Sequence, residues 1–539
     1  MKFQKASIPY ADTGFFSPLV IDYLAQDDQL KSFVQDFPSV KAIGEQIKRK
    51  QEQPVDRAVL VKALNKQYSA VAPGDPVKRN IDALASSKTF TICTAHQPNI
   101  FTGYLYFIYK IVHAIRLSQE CARHYPDYQF VPVYYMGSED NDLDEIGALY
   151  YGGQSYQWAT EQTGACGRMS TRDLTGIRDE IIRTLNDQLP REKEMIQLLR
   201  HAYNGTHTLA QATRIFVHAL FQQYGLIIID GDDPELKANF RPVLQDELLH
   251  QTSARIVGEQ IEKLKLHYNA QANPRDLNLF YLKEGLRERI EKDGEGWKVV
   301  NTNVHFVRQD IDQMISEHPE YFSPNVILRP LYQEAILPNI AFIGGGGELA
   351  YWLEMKTLFE HYGVVYPLLF LRNSLLVIPE KEAELQGKAG LEIKDLFKAS
   401  LQLGNEIIQN DASLKKLQDI DLQLVKAYDL IIALASESGL NLAESMQAHR
   451  AKALKIQTQI AGKFRNALRK KEHIQLERIE KLKSRLFPGG NLQERKENYL
   501  TFFKWYGEDF IESLVKLQEG FGTEFMVLTE SRDSVIDSK

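Results

Sequence analysis

Thr89-Phe-Thr-Ile-Cys-Thr-Ala95, followed at once by His96-Gln-Pro-Asn99 and then by an amphipathic run from about Tyr104 to Leu117, is the stretch that decides the fold. A short run rich in β-branched and apolar residues, without a charge, predicts a buried strand. Leu105, Ile108, Val112 and Ile115 recur at spacings of three and four, which places them on one side of a helix. The unit is strand, polar loop, helix.

The same grammar recurs along the chain. Phe130-Val-Pro-Val-Tyr-Tyr-Met136 ends in Gly137-Ser-Glu-Asp-Asn-Asp142, and Leu226-Ile-Ile-Ile229 ends in Asp230-Gly-Asp-Asp233. Asn339-Ile-Ala-Phe-Ile343 runs into Gly344-Gly-Gly-Gly347 and a helix expected over Glu348 to His361, and Val364 to Leu371 supplies a further apolar strand. Strands alternating with amphipathic helices predict an α/β fold: a Rossmann-like, mostly parallel sheet with helices on both faces. Ligands collect at the carboxyl ends of such strands. All these polar clusters fall there.

Outward from this core the pattern changes. Residues 1 to 85 read as mostly helical, and 155–211 and 248–322 read as helical or mixed insertions that could form a second lobe. No proline occurs from Glu380 to Phe487, which suits long helices, since proline costs about 3 kcal/mol inside one. Ser436-Glu-Ser-Gly439 divides that region into limbs at about 391–435 and 440–486. The second limb sets Ile456, Ile460, Phe464, Ala467 and Ile474 along a loose coiled-coil seam that Lys471 interrupts, and it stops at Phe487-Pro-Gly-Gly490. The expected division is a core over 1–385, a helical coiled-coil arm over 386–505 and a terminal segment over 506–539.

Composition narrows the class. At 539 residues, 44% hydrophobic and 25% charged, the chain has the balance of a soluble protein of several domains. Disorder-type composition is confined to about Ser531 to Lys539. Met1 to Gly14 lacks a signal-peptide core, and no run approaches the ~18 apolar residues of a membrane span. Cys93, Cys121 and Cys166 form neither a disulfide framework nor a CxxC zinc pattern, so no zinc and a reducing cytoplasm are expected. A net charge of −7 argues against nucleic acid as partner, although Gln447 to Arg485 carries a local basic excess.

Each motif admits a chemical reading and a plainer one. His96 could donate to a phosphate beside a helix start that attracts anions, with Lys110 and His113 further along that helix, or it could simply cap its loop. Gly344, Gly345, Gly346 and Gly347, with Glu348 behind them, could let backbone approach a ligand, or could be a tight turn. Glu139, Asp140, Asp142, Asp144 and Glu145 could hold an amine, sugar hydroxyls or Mg²⁺, or be a solvated helix start, and Asp230, Asp232 and Asp233 invite the same choice. Arg329 is a candidate anion clamp or a surface ion pair. Cys93, inside a strand, reads as a small buried hydrophobe.

Together, Thr94-Ala-His-Gln97 through Thr102-Gly103 and Lys110, Gly137 through Ile146, Arg329-Pro-Leu-Tyr-Gln-Glu334, Phe342 through Trp352, and Leu486-Phe-Pro-Gly-Gly-Asn-Leu-Gln-Glu-Arg495 resemble the bacillithiol-biosynthesis cysteine-adding ligase family. The likeness runs in order from about residue 10 to 510. It implies a Rossmann-like core, connecting insertions and a coiled-coil arm that pairs two protomers as a homodimer. It also implies a ligase joining cysteine to glucosaminyl-malate. The core is similar to that of nucleotidyl-transferring enzymes and cysteinyl-tRNA synthetases, whose His-x-x-His motif is reduced here to His96-Gln97-Pro98-Asn99. On this reading ATP or ADP is the nucleotide, and His96, Lys110, Asp140 and Asp142 are catalytic. Gln97, Thr102, Gly103, Arg329 and Gly344 to Glu348 bind substrate or nucleotide. The rival readings are a non-catalytic nucleotide-binding scaffold working through a dimeric coiled coil, and an RNA-linked synthetase relative.

Overall fold

Five strands carry the candidate site in a computed structural model that describes residues 3–186 and 189–531. They are β1 (Thr89–His96), β2 (Gln129–Met136), β3 (Ile227–Asp230), β4 (Asn339–Gly344) and β5 (Leu368–Leu371). All pair in parallel, in the order β5-β4-β1-β2-β3. The chain winds outward from β1 to β3 and returns on the other side of β1 with β4, so the strand order reverses between β1 and β4. In such sheets that reversal opens a crevice at the carboxyl edge.

Register lines up the functional ends. His96 lies opposite Met136 and Met136 opposite Asp230, while Gly344 lies opposite Leu371. Alternate residues of β1 serve opposite faces. Phe90 and Ile92 pack with Ala114, Leu117 and Cys121, whereas Cys93 and Ala95 join the larger cluster containing Val131, Val133 and Tyr135. With both faces covered, the strand reads as a continuous apolar run rather than an alternating one. Cys93 is fully buried, as expected of a small hydrophobe.

Several boundaries differ from the sequence reading. Only Leu368–Leu371 of the Val364–Leu371 run pairs in the sheet. The helix expected over Glu348 to His361 is two, Gly346–Leu353 and Lys356–Tyr362. At their junction the buried Glu354 carboxylate accepts from the backbone N–H groups of Gln271 (2.6 Å) and Ala272 (2.9 Å), which holds the chain to the second insertion. The N-terminal region is helical from Tyr10, but Phe3–Pro9 is a strand, antiparallel to Glu524–Glu530, which in turn runs parallel to Leu375–Ile378. Its partner comes from the other end of the chain, where no local pattern can see it. The polar tail 532–539 lies outside the described residues.

The insertions are mixed. The first contributes the Gln154–Gln157 strand of a hairpin and the helices Thr175–Arg183 and Pro190–Ala202. The second folds its own antiparallel strands, among them Leu279–Lys283 and Leu286–Asp293.

The arm is a helical hairpin of Ala412–Glu437 and Ala443–Lys471, continued by His473–Leu486. Gly439, at φ 71°, makes the reversal just where Ser436 to Gly439 is expected to break the helix. The first limb is interrupted before Ala412, where Asp411 accepts from the N–H of Ser413 at 2.8 Å as an N-cap. The expected seam is not the one within the hairpin. Ala461 and Leu468 are the buried residues of Ala443–Lys471, while Ile456, Ile460, Phe464 and Ile474 are exposed. Two stripes thus run along this limb, and the sequence-predicted one faces away from its own hairpin partner.

Candidate active site

The loop after β1 is unusual from the backbone upward. Phe101 (φ 49°), Thr102 (φ 71°) and Gly103 (φ 60°) are consecutive residues at positive φ, which is costly for a β-branched threonine. Tertiary contacts hold them there. Tyr203 Oη accepts from the Phe101 N–H at 2.9 Å, and Asn498 Nδ2 donates to the carbonyls of Phe101 and Gly103. The Leu105 N–H donates to Glu497 O at 2.7 Å. Helix α1 (Tyr106–His124) follows.

His96 ends β1. Burial, with the charges of Lys110 and Arg372 nearby, pushes its pKa well below the usual histidine value, so the imidazole is neutral. Its Nε2 is buried and has no partner. Tyr106 stands edge-on to the ring at 5.4 Å between centroids. Lys110 is almost wholly buried; its ammonium donates to Ala95 O at 2.9 Å and pairs with Glu348. Burial lowers the Lys110 pKa, and Glu348 partly restores it. His113 faces elsewhere, bonding Gly520 O and the Asn373 N–H, and burial takes its pKa down to about 4.

The glycine corner joins the same rim. Helix α2 (Gly346–Leu353) starts there, and Glu348 accepts from the Gly345 N–H at 2.9 Å. The helix N-terminus therefore already has an anion of its own. Among the four glycines none has a positive φ. A Cβ on Gly344 would stand 2.9 Å from Glu348 Cβ, whereas one on Gly347 would meet nothing within 4 Å. Gly344 is thus a packing glycine and Gly347 opens to space.

The acidic loop closes the other side. The Gly137 N–H donates to His96 O at 2.8 Å, and Gln97 Nε2 reaches both Asp140 and Glu145 at 3.1 Å. Most of the carboxylates are already engaged. Asp142 caps the short helix Leu143–Ile146 through the Glu145 N–H, and Asp233 caps its own helix. Glu139 pairs with the buried Lys237, and burial raises its pKa. Burial also opposes ionisation of Asp232, but Lys237 and the two-pronged Arg168 contact (2.6 and 2.8 Å) outweigh it and lower the pKa. Asp140 has Arg287, from the second insertion, at 3.8 Å. Asp144 is exposed. Among the described residues no three His, Cys, Asp or Glu side chains gather as metal ligands.

Arg329 projects from the start of its helix, donating to Gln333 Oε1 (3.1 Å) and Tyr351 Oη (3.2 Å), with its guanidinium 5.6 Å from the centre of the Tyr135 ring. Glu348 also contributes to its electrostatic environment. Arg372 immediately follows β5 and was missed by the motif reading. Its N–H donates to Gly344 O at 2.7 Å, and its side chain pairs with Glu494 at 2.7 Å. The signal available was its position: a cation directly after a strand whose carboxyl end lines the rim. Lys237 and Arg287 were missed for a different reason, since nothing local marks a surface-type residue as buried.

The structure therefore brings His96, Gln97, Lys110, Asp140, Glu348, Arg329 and Arg372 to one rim, with Thr102 and Gly103 forming the strained wall beside it. Asp142, next to Asp140 in the same loop, caps the helix that follows. Such a rim offers fixed positive charge, a neutral imidazole and one open backbone approach, a combination suited to holding an anionic group while a neighbouring bond is made.

Comparison with known proteins agrees with this architecture. The family model described as "Bacillithiol biosynthesis BshC, N-terminal Rossmann-like domain" matches residues 1–373, and that of the BshC C-terminal coiled-coil domain matches residues 375–530. A protein of Flavobacterium johnsoniae named "Putative cysteine ligase BshC" is 38% identical, over 97% of this chain and 99% of its own. Proteins of the same name from Flavobacterium psychrophilum and Christiangramia forsetii are 39% and 37% identical, over 94% and 98% of this chain and 96% and 99% of theirs.

Proposed function

The chain belongs to the BshC family of bacillithiol biosynthesis, and from that membership we propose that it is the ligase joining the cysteine carboxylate to the amine of glucosaminyl-malate at the rim between β1 and β4. A free carboxylate does not form an amide at neutral pH without activation. ATP supplies it: a carboxylate oxygen bonds to a phosphorus of ATP, displacing pyrophosphate or ADP. The sugar amine then forms the C–N bond, loses a proton, and displaces AMP or phosphate.

The supporting observation is convergence. The histidine loop, the acidic loop and the glycine corner are tied directly to one another through Gly137 to His96, Gln97 to Asp140, and Lys110 to Glu348. Lys110, Arg329 and Arg372 supply the positive field toward phosphate or carboxylate oxygens. His96, neutral and with a free nitrogen, exchanges a hydrogen bond with the reacting group. Gly347 gives the backbone approach, and Asp140 faces the amine or hydroxyls of the acceptor.

The arm adds a second element. Its outward stripe of Ile456, Ile460 and Phe464, with Leu430 and Leu434 on the facing helix, is exposed in a single chain, and a second copy of the arm is the occupant that fits.

The direct test incubates the protein with ATP, cysteine and glucosaminyl-malate and follows the thiol product by mass. Product that requires all three supports the ligase. Nucleotide binding without product would favour the scaffold reading instead.

A further inference from the structure

Arg372 and the strap Phe487 to Asn498, which leads from the arm back to the core, are related in a way that the mechanism above leaves unused. The Arg372 side chain is only 3% exposed, yet its Nε has no partner. Each terminal nitrogen has a partner: Nη2 donates to Glu494 Oε1 at 2.7 Å and Nη1 to Asn373 O at 3.2 Å. Its guanidinium lies 5.6 Å from the centre of the Tyr106 ring, which also stands edge-on to His96. Two buried nitrogens without partners, Arg372 Nε and His96 Nε2, thus flank one tyrosine at the crevice. An orphaned guanidinium donor is expensive in a folded interior and calls for an acceptor, and its charge cannot be relieved by deprotonation.

Glu494 is fully buried and fixed from several sides. It accepts from Ser374 Oγ at 3.0 Å and from the Leu375 N–H at 3.3 Å, as well as from Arg372. The same strap supplies Glu497 and Asn498, which hold the Phe101–Leu105 loop on the opposite wall. One segment therefore aims both walls of the crevice.

We propose that Arg372 is an oxyanion-binding residue of this crevice, aimed by Glu494 as its positioning residue, and that it takes a carboxylate or phosphate group of a substrate. The identity of the substrates rests on the ligase reading; the anion subsite does not. Arg372 holds a fixed charge at the carboxyl end of β5, and Glu494 holds its Nη2. The unpartnered Nε–H is the donor left for the ligand.

The experiment uses the full chain and two probes, malate and inorganic phosphate, titrated separately by calorimetry. At least one is expected to bind the wild type and to bind Arg372→Lys about tenfold or more weakly, as befits loss of a charge-assisted hydrogen bond. A malate response assigns the subsite to a carboxylate, and a phosphate response assigns it to the nucleotide. Glu494→Gln is expected to weaken the same probe several-fold, with Glu494→Asp recovering part of the loss. In turnover the expected signature is a raised KM for the substrate bearing that anion, with kcat changed much less. Binding of neither probe to the wild type, or equal affinity in Arg372→Lys, overturns the proposal. If Arg372→Lys does not fold, Glu494→Gln decides, and affinity equal to wild type overturns it. Absence of product from the wild type sinks the ligase reading alone, because the probe titrations do not depend on it.

Discussion

The Lys110 ammonium and the Glu348 carboxylate meet across the reversal of strand order, so that the helix following β1 and the helix following β4 are joined by one ion pair. The lysine side chain is 3% exposed and the glutamate 21%. Removing one partner of such a pair costs more than the pair contributes, because the other charge is left uncompensated. Glu348→Gln strands the deeper charge and is expected to lose about 3 kcal/mol in urea denaturation. Lys110→Met strands the more solvated one and should lose less. Equal and small losses, of the kind seen for surface pairs, would show that the pair is not what holds the corner.

Glycines at the rim should behave oppositely. Gly103 sits at φ 60°, and a Cβ there would stand 2.8 Å from Asn99 Cβ, so Gly103→Ala is expected to destabilise by about 2–3 kcal/mol. Gly347 has ordinary helical backbone with open space around it, so Gly347→Ala should stabilise by about 0.5–1 kcal/mol. If a ligand approaches that backbone, the same variant should lose about tenfold or more in product formation, since small displacements in a reacting complex are costly. Unimpaired turnover with Gly347→Ala would remove the glycine corner from the substrate's path.

His96→Ala is expected to retain its fold and to lose roughly 10² in turnover, the usual scale for one oriented hydrogen-bonding group. Because burial and the neighbouring cations keep this imidazole neutral, the wild-type pH–rate profile should show no inflection near 6.5 from His96. An inflection there that vanishes in the variant would contradict the neutral assignment.

Asp230, at the end of β3, gives the opposite sign to a salt-bridged acid. Burial, with Asp232 adding to it, raises its pKa from 3.8 to about 6. Between those values the folded protein holds a proton that the unfolded chain has lost, so stability falls as pH rises through the window and is level above it. Asp230→Asn lacks this titration. The stability of Asp230→Asn relative to wild type should climb between about pH 4 and pH 6 by up to ~3 kcal/mol, read from paired denaturation curves. A difference that does not change with pH would refute the shift.

Pairing of the arms is tested by charge. Ile456 and Phe464 are exposed on a single chain, so a double Ile456→Lys, Phe464→Lys variant should keep its helical content. Sedimentation is expected to show the wild type as a dimer and the variant as a monomer. A wild type that sediments as a monomer removes the second copy as the occupant of that stripe.

Much of the fold was legible because strand and helix periodicities are local. Each apolar run that ends in His96, Gly137, Asp230 or Gly344 indicates where its strand stops and which residues reach the rim. The corrections have one common origin. Phe3–Pro9 is a strand because Glu524–Glu530 lies beside it, and the helix after Gly344 breaks where Glu354 reaches the second insertion. Both depend on partners remote in sequence. The arm shows a subtler case: Ile456, Ile460 and Phe464 read as a seam and do form a stripe, but periodicity cannot say which of two stripes faces the hairpin.

By itself the sequence determined the alternation of strands and helices, the placement of every polar cluster at the carboxyl edge, and the family. Tertiary structure alone decided how the charges are shared. Asp142 became a cap and Glu139 took Lys237 as partner, while Arg372 and Glu494, 122 positions apart, came together beneath the crevice. The reason is physical: hydrophobic periodicity reports a residue's face within its own element, whereas a buried charge is stable only with a partner, and folding chooses that partner by distance in space.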